Sequence, residues 1–379
     1  MQGNPFEGAP LLSEADRKLI AEFAGVSDET GTLAPQLQAL VHERGWLRML
    51  APADAGGAEL ALPQAVRLEE AIAAADGSLG WFVTLCAGAG WFAGFLPPRL
   101  AREIIGTPGA CLGGSGAVAG FADVEGDGYR ISGRWPIATG APLATHFTMN
   151  AVIREHGEPL LDSAGRQRVR AFVVPAAHVS VHPSWRNIGM RASGSHAFSV
   201  DQVWVDAAHA FDIDPASATA PGPLYRFPFA SLAYVTIAAN ISGMALHFLQ
   251  LATELLGRRV HPANGQPLAL HPEVAAALAG ARQALEGSRS CFYRWLELAW
   301  QATERGEVLH DDQTHALHTV SLALVNAGRK AVDDVFPYCG LVAVNAQSEI
   351  GRAWRDLHTG TQHAMLLPLV TRRGADLVP

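Results

Sequence analysis

The hydrophobic period of this chain changes twice, and those two changes restrict its fold more than any other feature. From about Ser13 to Gly106, apolar residues recur at three- and four-residue spacings, as amphipathic helices require. Ser13 stands as an N-cap before an Ala/Leu/Glu/Lys-rich turn, stretches 33–45 and 62–75 repeat the pattern, and Gly45, Gly56-Gly57 and Asp76-Gly77 punctuate it. Stretch 80–96 is apolar nearly all round, which predicts a central helix ended by Pro97-Pro98. From about Cys111 the period becomes two. Residues 129–135 alternate after the turn Gly126-Asp127-Gly128, and 168–174 and 197–205 carry β-branched and aromatic residues between Gly and Pro breaks. Strand follows strand with no room for crossover helices, which predicts an antiparallel β-domain. Stretch 206–228, rich in Ala, Pro and Asp, reads as a linker. Helical spacing then returns: Ile237, Ile241, Met244, Phe248, Leu251 and Leu255 form one stripe, and Leu278, Leu285, Phe292, Leu296 and Ala299 another, so long helices should pack as a bundle.

With 379 residues, 49% of them hydrophobic and 17% charged, the chain holds material for two or three domains. The reading is an α+β chain, mainly α: a helical domain over 1–108, a β-domain over 109–224 and a helical bundle over 225–379. A net charge of −8, with no basic run interleaved with aromatics, argues against nucleic acid or an anionic membrane surface as partner, leaving small molecules or protein. Cys86, Cys111, Cys291 and Cys339 show neither CxxC nor zinc spacing, so reduced thiols in a cytoplasmic protein are expected. Residues 1–10 lack a basic segment leading into an apolar core, so no secretory signal is expected. Asn240, Ser242, His247, Gln250 and Glu254 interrupt the apolar run 232–256, which reads as a buried core helix rather than a membrane span.

Several motifs carry chemistry by their letters. Gly114-Ser115-Gly116-Ala117-Val118-Ala119 spells a dinucleotide fingerprint, but that motif needs a strand before it and a helix after it, and here a strand follows. The overlapping near-match to a nucleophile elbow around Ser115 fails for the same reason. His315 and His318 stand at i, i+3 with no further ligands, so they read as satisfied or solvated histidines. Stretch 188–196, dense in backbone donors and small hydroxyls, can close on a phosphate or planar ring or simply turn a hairpin. Near the C-terminus, 351–363 reads as a helix on which Arg352, Asp356, Thr359 and His363 fall within about 60° of one another. That polar stripe is either a solvated face or the edge of a site.

Three segments together resemble the acyl-CoA dehydrogenase superfamily. Residues 128–140, GYRISGRWPIATG, resemble its "GGY-x-x-x-G-x-W-x-F-x-S-G" signature on the flavin side. Residues 185–195, WRNIGMRASGS, resemble "W-x-x-x-G-[LM]-R-G-T-G-S", and 351–363 resemble "R-x-W-R-D-x-x-T-x-x-x-H" of the two-component flavin-dependent monooxygenases. The resemblance covers nearly the whole chain in order. It implies an N-terminal helical domain, a central β-barrel-like domain and a C-terminal four-helix bundle, assembled as a homotetramer. It also implies FMN or FAD in reduced form, supplied by a separate flavin reductase, acting with O2 through a C4a-hydroperoxyflavin on a small apolar or aromatic substrate.

By the same resemblance, Thr139 stands beside the flavin, Trp185, Ser193 and Ser195 lie on the flavin-contacting loop, and His363 faces the reactive side of the ring. Ser115, on the glycine-rich turn, joins His363 as a catalytic candidate. Arg258 and Arg352 are candidates for flavin phosphate, with Arg259 and Arg282 beside them, because guanidinium matches phosphate bidentately. The alternatives are an acyl-CoA dehydrogenase-like flavoprotein oxidising an acyl thioester, and a flavin-binding protein without catalysis. Dehydrogenation needs a carboxylate base, yet Ala233 stands where the base on the first bundle helix would align, and after Asp356 the only acid is Asp376. The monooxygenase pattern departs too: Ala89 replaces an expected second histidine, Ile137 a common aromatic, and Val205-Asp206 the usual Val-Pro.

Overall fold

The structure, a computed structural model, describes residues 11–367; the expectations for residues 1–10 and for Asp376 lie outside that range. Helices come first, as the spacing predicts: α1 (Glu14–Thr30), α2 (Pro35–Glu43), α3 (Leu62–Ala73), α4 (Gly77–Trp91) and α5 (Pro98–Ile105). Ser13 caps α1 in a capping box with Asp16, and Asp76 caps α4 by accepting the Leu79 N–H at 2.8 Å. Nearly every residue of α4 is buried, which is why its sequence shows no polar face.

The middle of the chain forms one sheet from β1 (Leu112–Glu125), β2 (Gly128–Ala138), β3 (His146–Glu155), β4 (Glu158–Pro159), β5 (Val169–Pro175), β6 (Ser180–His182), β7 (His196–Asp206) and β8 (Ala210–Phe211). The strand order is β6-β7-β2-β1-β3-β5-β8, with β4 on β3. An antiparallel sheet was expected, but β1 and β3 pair in parallel, from Leu112↔His146 to Asp123↔Arg154. The reason is local. After the β1–β2 hairpin the chain turns through 139–145 and lays β3 on the far side of β1, so β3 opposes β2 in direction and matches β1. Two register shifts in β1, at Ser115/Val118 and Val118/Phe121, bend the strand there. This topology carries Thr139, just past the end of β2, against the start of β1.

Stretch 206–228 is not the loose linker its composition suggests. Leu224, Tyr225 and Phe227 are fully buried, the Tyr225 hydroxyl donates to the Leu50 carbonyl at 3.1 Å, and the Trp91 indole donates to the Leu224 carbonyl at 3.1 Å. Aromatic packing against α4 outweighed the Pro- and Ala-rich turn signals that surround these residues.

The bundle follows as α6 (Phe229–Arg258), α7 (Pro272–Glu304), α8 (Asp311–Cys339) and α9 (Glu349–Gly360). Helix α6 is the axis of the molecule, packed against α8, α3, α9 and α4. Both α4, with the turn after it, and α6 have the length and apolar composition of a membrane span, yet 83% and 78% of those windows are buried inside the fold. Each fully buried Leu, Ile or Phe on such a helix contributes about 1.5–3 kcal/mol, which is sufficient reason for their apolar faces. Among the bundle's polar residues, His318 is held by the Ser231 hydroxyl at 3.0 Å and stacked on Tyr234, so it is satisfied within the bundle.

Candidate active site

A cavity of about 150 Å³ lies where α4, the sheet and α6 meet. One wall belongs to β1 and its neighbours: Gly114, Ser115, Gly116, Thr139, Thr148 and Asn150. The opposite walls come from Leu85, Gly88 and Ala89 on α4 and Phe92 just past its end, from Phe211 and Ile213 at the sheet edge, and from Phe229, Leu232, Ala233 and Thr236 on α6. The first wall is glycine and hydroxyl; the others are aromatic and aliphatic.

Local chain chemistry makes the polar wall. The register shift between Ser115 and Val118 takes Gly116 and Ala117 out of the β1–β3 ladder. Asn150 then donates to the Gly116 carbonyl at 2.9 Å, and the Ala117 N–H donates to the Ser115 hydroxyl at 3.4 Å. Behind this wall three buried hydroxyls form a string: Thr139 Oγ1 lies 2.9 Å from Ser195 Oγ, which lies 2.8 Å from Ser193 Oγ. Two backbone bonds fix the string, from the Gly140 N–H to the Ser193 carbonyl at 2.9 Å and from the Ala141 N–H to the Gly194 carbonyl at 3.2 Å. Trp185 folds over the same loop and donates its indole N–H to the Met190 carbonyl at 2.8 Å. His196 Nδ1 accepts the backbone N–H groups of Ser184 and Trp185, and burial holds its pKa below the usual imidazole range, as an accepting neutral ring requires.

The remaining sequence candidates lie elsewhere. Helix α9 stops at Gly360, so His363 leaves the predicted stripe and instead caps the next short turn, its Nδ1 accepting the Met365 N–H at 3.4 Å. Its ring meets the edge of Trp81 at 5.7 Å. Trp81 shares one face of α4 with Leu85, Gly88 and Phe92, which places His363 one helical turn beyond the cavity walls. Burial lowers the His363 pKa, leaving a neutral imidazole.

Arg352 and Asp356 face neither solvent nor the cavity. The Arg352 guanidinium is buried with Nε 3.3 Å from Asp76 Oδ2, so it is not offered to a phosphate. Asp356 accepts the Met190 N–H at 2.5 Å, and Gly189 lies so close to α9 that a Cβ there would sit 2.2 Å from the Arg355 carbonyl. Arg355 adds bonds to the Ile188 carbonyl at 2.9 Å and to Asp28 at 2.8 Å. The stripe thus clamps the loop that carries Ser193 and Ser195. Of the other arginines, Arg259 donates to the Cys339 carbonyl at 2.7 Å and Arg282 to Thr253 at 2.6 Å, whereas Arg258 is exposed with only Glu254 at 3.9 Å.

Sequence reading missed a second polar group beneath the cavity. Asn240 on α6 donates to Thr84 Oγ1 at 3.0 Å, and Glu69 on α3, a helix packed against both α4 and α6, is fully buried with neither carboxylate oxygen hydrogen-bonded. The available signal was polarity inside otherwise apolar helical faces.

Residues 235–368 match the family model described as "Acyl-CoA dehydrogenase, C-terminal domain". The chain is 24% identical over 365 residues to an indole-3-acetate monooxygenase of Pseudomonas putida, covering 96% of this chain and 90% of that one. It is 23% identical over 339 residues to the oxygenase subunit of a flavin-dependent monooxygenase of Rhodococcus jostii, covering 86% and 85%. Over residues 235–368 the chain thus carries an acyl-CoA dehydrogenase C-terminal domain, and along nearly its whole length it is similar to flavin-dependent monooxygenases. The fold agrees: a solved structure of XiaF from Streptomyces sp. with FADH2 and glycerol superposes with a TM-score of 0.85 at 21% identity, over 92% of this chain and 89% of that one.

Similarity to flavin-dependent monooxygenases implies a flavin, and the donor set suits one. The polar edge of an isoalloxazine alternates acceptors with an N–H, and the hydroxyls of Ser115 and Thr139 both donate and accept. The bulge at Gly116 and Ala117, where a Cβ on Gly116 would meet nothing within 4 Å, leaves room for close approach at the same wall. No Asp, Glu, His, Lys or Arg lines the cavity, and Glu254, the first acid along α6, is exposed near its far end. An acyl-thioester dehydrogenase of this fold requires a carboxylate at the cavity. Among the described residues this one has none there.

Proposed function

We propose that the chain is the oxygenase component of a two-component flavin-dependent monooxygenase acting on a small apolar or aromatic substrate. The observation that carries this reading is the cavity itself: a hydroxyl-and-glycine wall suited to a flavin edge, facing an aromatic pocket that lacks a carboxylate base. Reduced flavin, when bound, supplies the two electrons that place one atom of O2 on the substrate and release the other as water. The Thr139–Ser195–Ser193 string holds a proton at the Thr139 end, where it can be given or taken without admitting bulk water. Phe92, Phe211 and Phe229 exclude water from the other side. The neutral His363 ring, with Nδ1 accepting, presents its Nε2–H as a donor at the rim.

Relatives support the cofactor and the partner. One is named as an oxygenase subunit and another as the oxygenase component of an FADH2-dependent resorcinol hydroxylase, names that imply a separate reductase. Here that reductase would deliver FMNH2 or FADH2, with the exposed Arg258 free to meet a flavin phosphate. We further take the enzyme to be a cytoplasmic homotetramer, a reading with which its four free cysteines agree.

Stopped-flow mixing of the protein with chemically reduced FMN or FAD, followed by oxygenated buffer and an aromatic substrate, tests the reading. The expected result is product one oxygen atom heavier, labelled when 18O2 is used. Immediate flavin reoxidation with stoichiometric peroxide for every substrate tried counts against it, and bleaching of oxidised FAD by an acyl-CoA would favour the dehydrogenase. His363→Ala is expected to slow product formation at an unchanged thermal midpoint; unaltered kinetics would remove His363 from the site.

A further inference from the structure

We propose that the cavity selects a small neutral aromatic ligand carrying a hydrogen-bond acceptor, read by the Thr84 hydroxyl as a donor whose direction is fixed from behind by Asn240 and Glu69. The inference rests on the cavity being the substrate site, and it adds the class of molecule the site admits.

Size and charge set the first limits. Cavities of about 150 Å³ lined by Leu, Ile and Phe hold a single benzene-sized ring, and Phe92, Phe211, Phe229, Leu232 and Ile213 provide such walls here. None of the lining side chains is titratable. A carboxylate or ammonium entering the cavity would lose its hydration without gaining a counter-charge, so ionic ligands are disfavoured.

The direction of the Thr84 bond follows from the helix junction beneath it. Asn240 Nδ2 donates to Thr84 Oγ1 at 3.0 Å, so the Thr84 hydroxyl proton is left to point at the ligand. With the amide reversed, the Thr84 hydroxyl would donate to Asn240 and could only accept from a ligand, so the group that meets the far end of the amide decides the direction. Asn240 Oδ1 and both Glu69 oxygens are buried, and no other described residue supplies a hydrogen bond to any of the three.

Packing puts these groups at one level. A Cβ at Gly80 would lie 2.5 Å from Ala73 Cα, and one at Gly243 would lie 2.8 Å from Ala73 Cβ, so α4 and α6 both touch α3 at Ala73. One turn along each helix in the direction of the cavity lie Glu69, Thr84 and Asn240, on the same faces. Burial raises the Glu69 pKa well above the ordinary carboxylate value, which favours the acid form with an O–H to give. That donor matches Asn240 Oδ1, which in turn keeps Nδ2 on Thr84. Glu69 is a positioning residue: it touches no ligand and acts through Asn240.

Equilibrium titration of the full-length protein with three probes tests the proposal without flavin or oxygen. Acetophenone carries an acceptor, ethylbenzene carries none, and benzoate is charged. Acetophenone is expected to bind roughly tenfold more tightly than ethylbenzene, as one net hydrogen bond allows, and benzoate to bind far more weakly than either. Thr84→Val should erase the preference, Glu69→Leu should reduce it, and Glu69→Gln, which keeps an N–H donor, should retain it. Equal binding of acetophenone and ethylbenzene by the wild type, binding of benzoate as tight as acetophenone, or a preference that survives Thr84→Val would overturn the proposal. The wild-type comparison decides even where a variant does not fold. A protein that prefers acetophenone but never transfers oxygen overturns the oxygenase reading alone, and an oxygenase indifferent to the acceptor overturns this one alone.

Discussion

Asp356→Ala is expected to lower the unfolding free energy by about 1–3 kcal/mol, the usual cost of leaving a buried backbone donor without its acceptor. Asp356 is 1% exposed and its Oδ1 accepts the Met190 N–H. Met190 has a φ of 49°, a left-handed conformation that costs a non-glycine residue about 1–2 kcal/mol, so losing the acceptor releases a strained loop. The loop is the one that carries Ser193 and Ser195, and the variant should therefore lose stability and flavin affinity together. Chemical denaturation and flavin titration on the same samples check this; a stable variant with wild-type affinity would show that α9 does not hold the loop.

The same carboxyl predicts a pH dependence. Desolvation, followed by repulsion from Asp76, pushes the Asp356 pKa up to about 8, above its unfolded value of about 3.9. A group whose folded pKa is raised binds its proton more tightly when folded, so its contribution favours the fold at low pH. That contribution fades as pH rises from about 4 to about 8 and is constant above. Asp356→Asn keeps an acceptor for Met190 without a charge. The wild-type stability minus that of Asp356→Asn should accordingly fall between pH 5 and pH 8, and a difference that rises over that window would contradict the assignment.

Thr139→Val is expected to reduce oxygen transfer by roughly 10²-fold, the scale on which a single preorganised donor contributes at a dry site. Valine preserves the shape but ends the hydroxyl string at Ser195, leaving Ser195 Oγ with Ser193 as its remaining partner. Flavin consumption should continue while product falls and peroxide rises, because the electrons still reach oxygen. Ser193→Ala, at the far end of the string, should have the smaller effect. Product-to-peroxide ratios measured for both variants decide; a ratio equal to wild type in Thr139→Val would place the string outside the reaction.

Much of the molecule was legible in the sequence, for identifiable reasons. Period three-to-four and period two are consequences of backbone geometry, so the succession of helices, sheet and bundle could be read directly. Ser115 and Thr139 lie in glycine-punctuated segments around strand ends, where the chain must turn, and the structure brings both to the cavity wall. The parallel pairing of β1 with β3 was not legible, because the side on which a third strand lays down depends on the course of a seven-residue connection. The burial of 224–227 was hidden as well: Leu224, Tyr225 and Phe227 sit among Pro and Gly, and only the face of α4 opposite them reveals their place.

The C-terminal stripe shows the division most clearly. Helical spacing by itself determined that Arg352, Asp356 and their neighbours share a face, since residues three and four apart in a helix always do. It could not say what that face meets. Asp76, Asp28 and Met190 lie from 162 to 328 residues away in the chain, and only the packing of α9 onto α4, α1 and the 188–196 loop converts the stripe into a buried clamp. The polar junction of Glu69, Thr84 and Asn240 has the same origin. Each residue is a polar letter on a buried helical face, and their meaning arises where three helices place them at one level beneath the cavity.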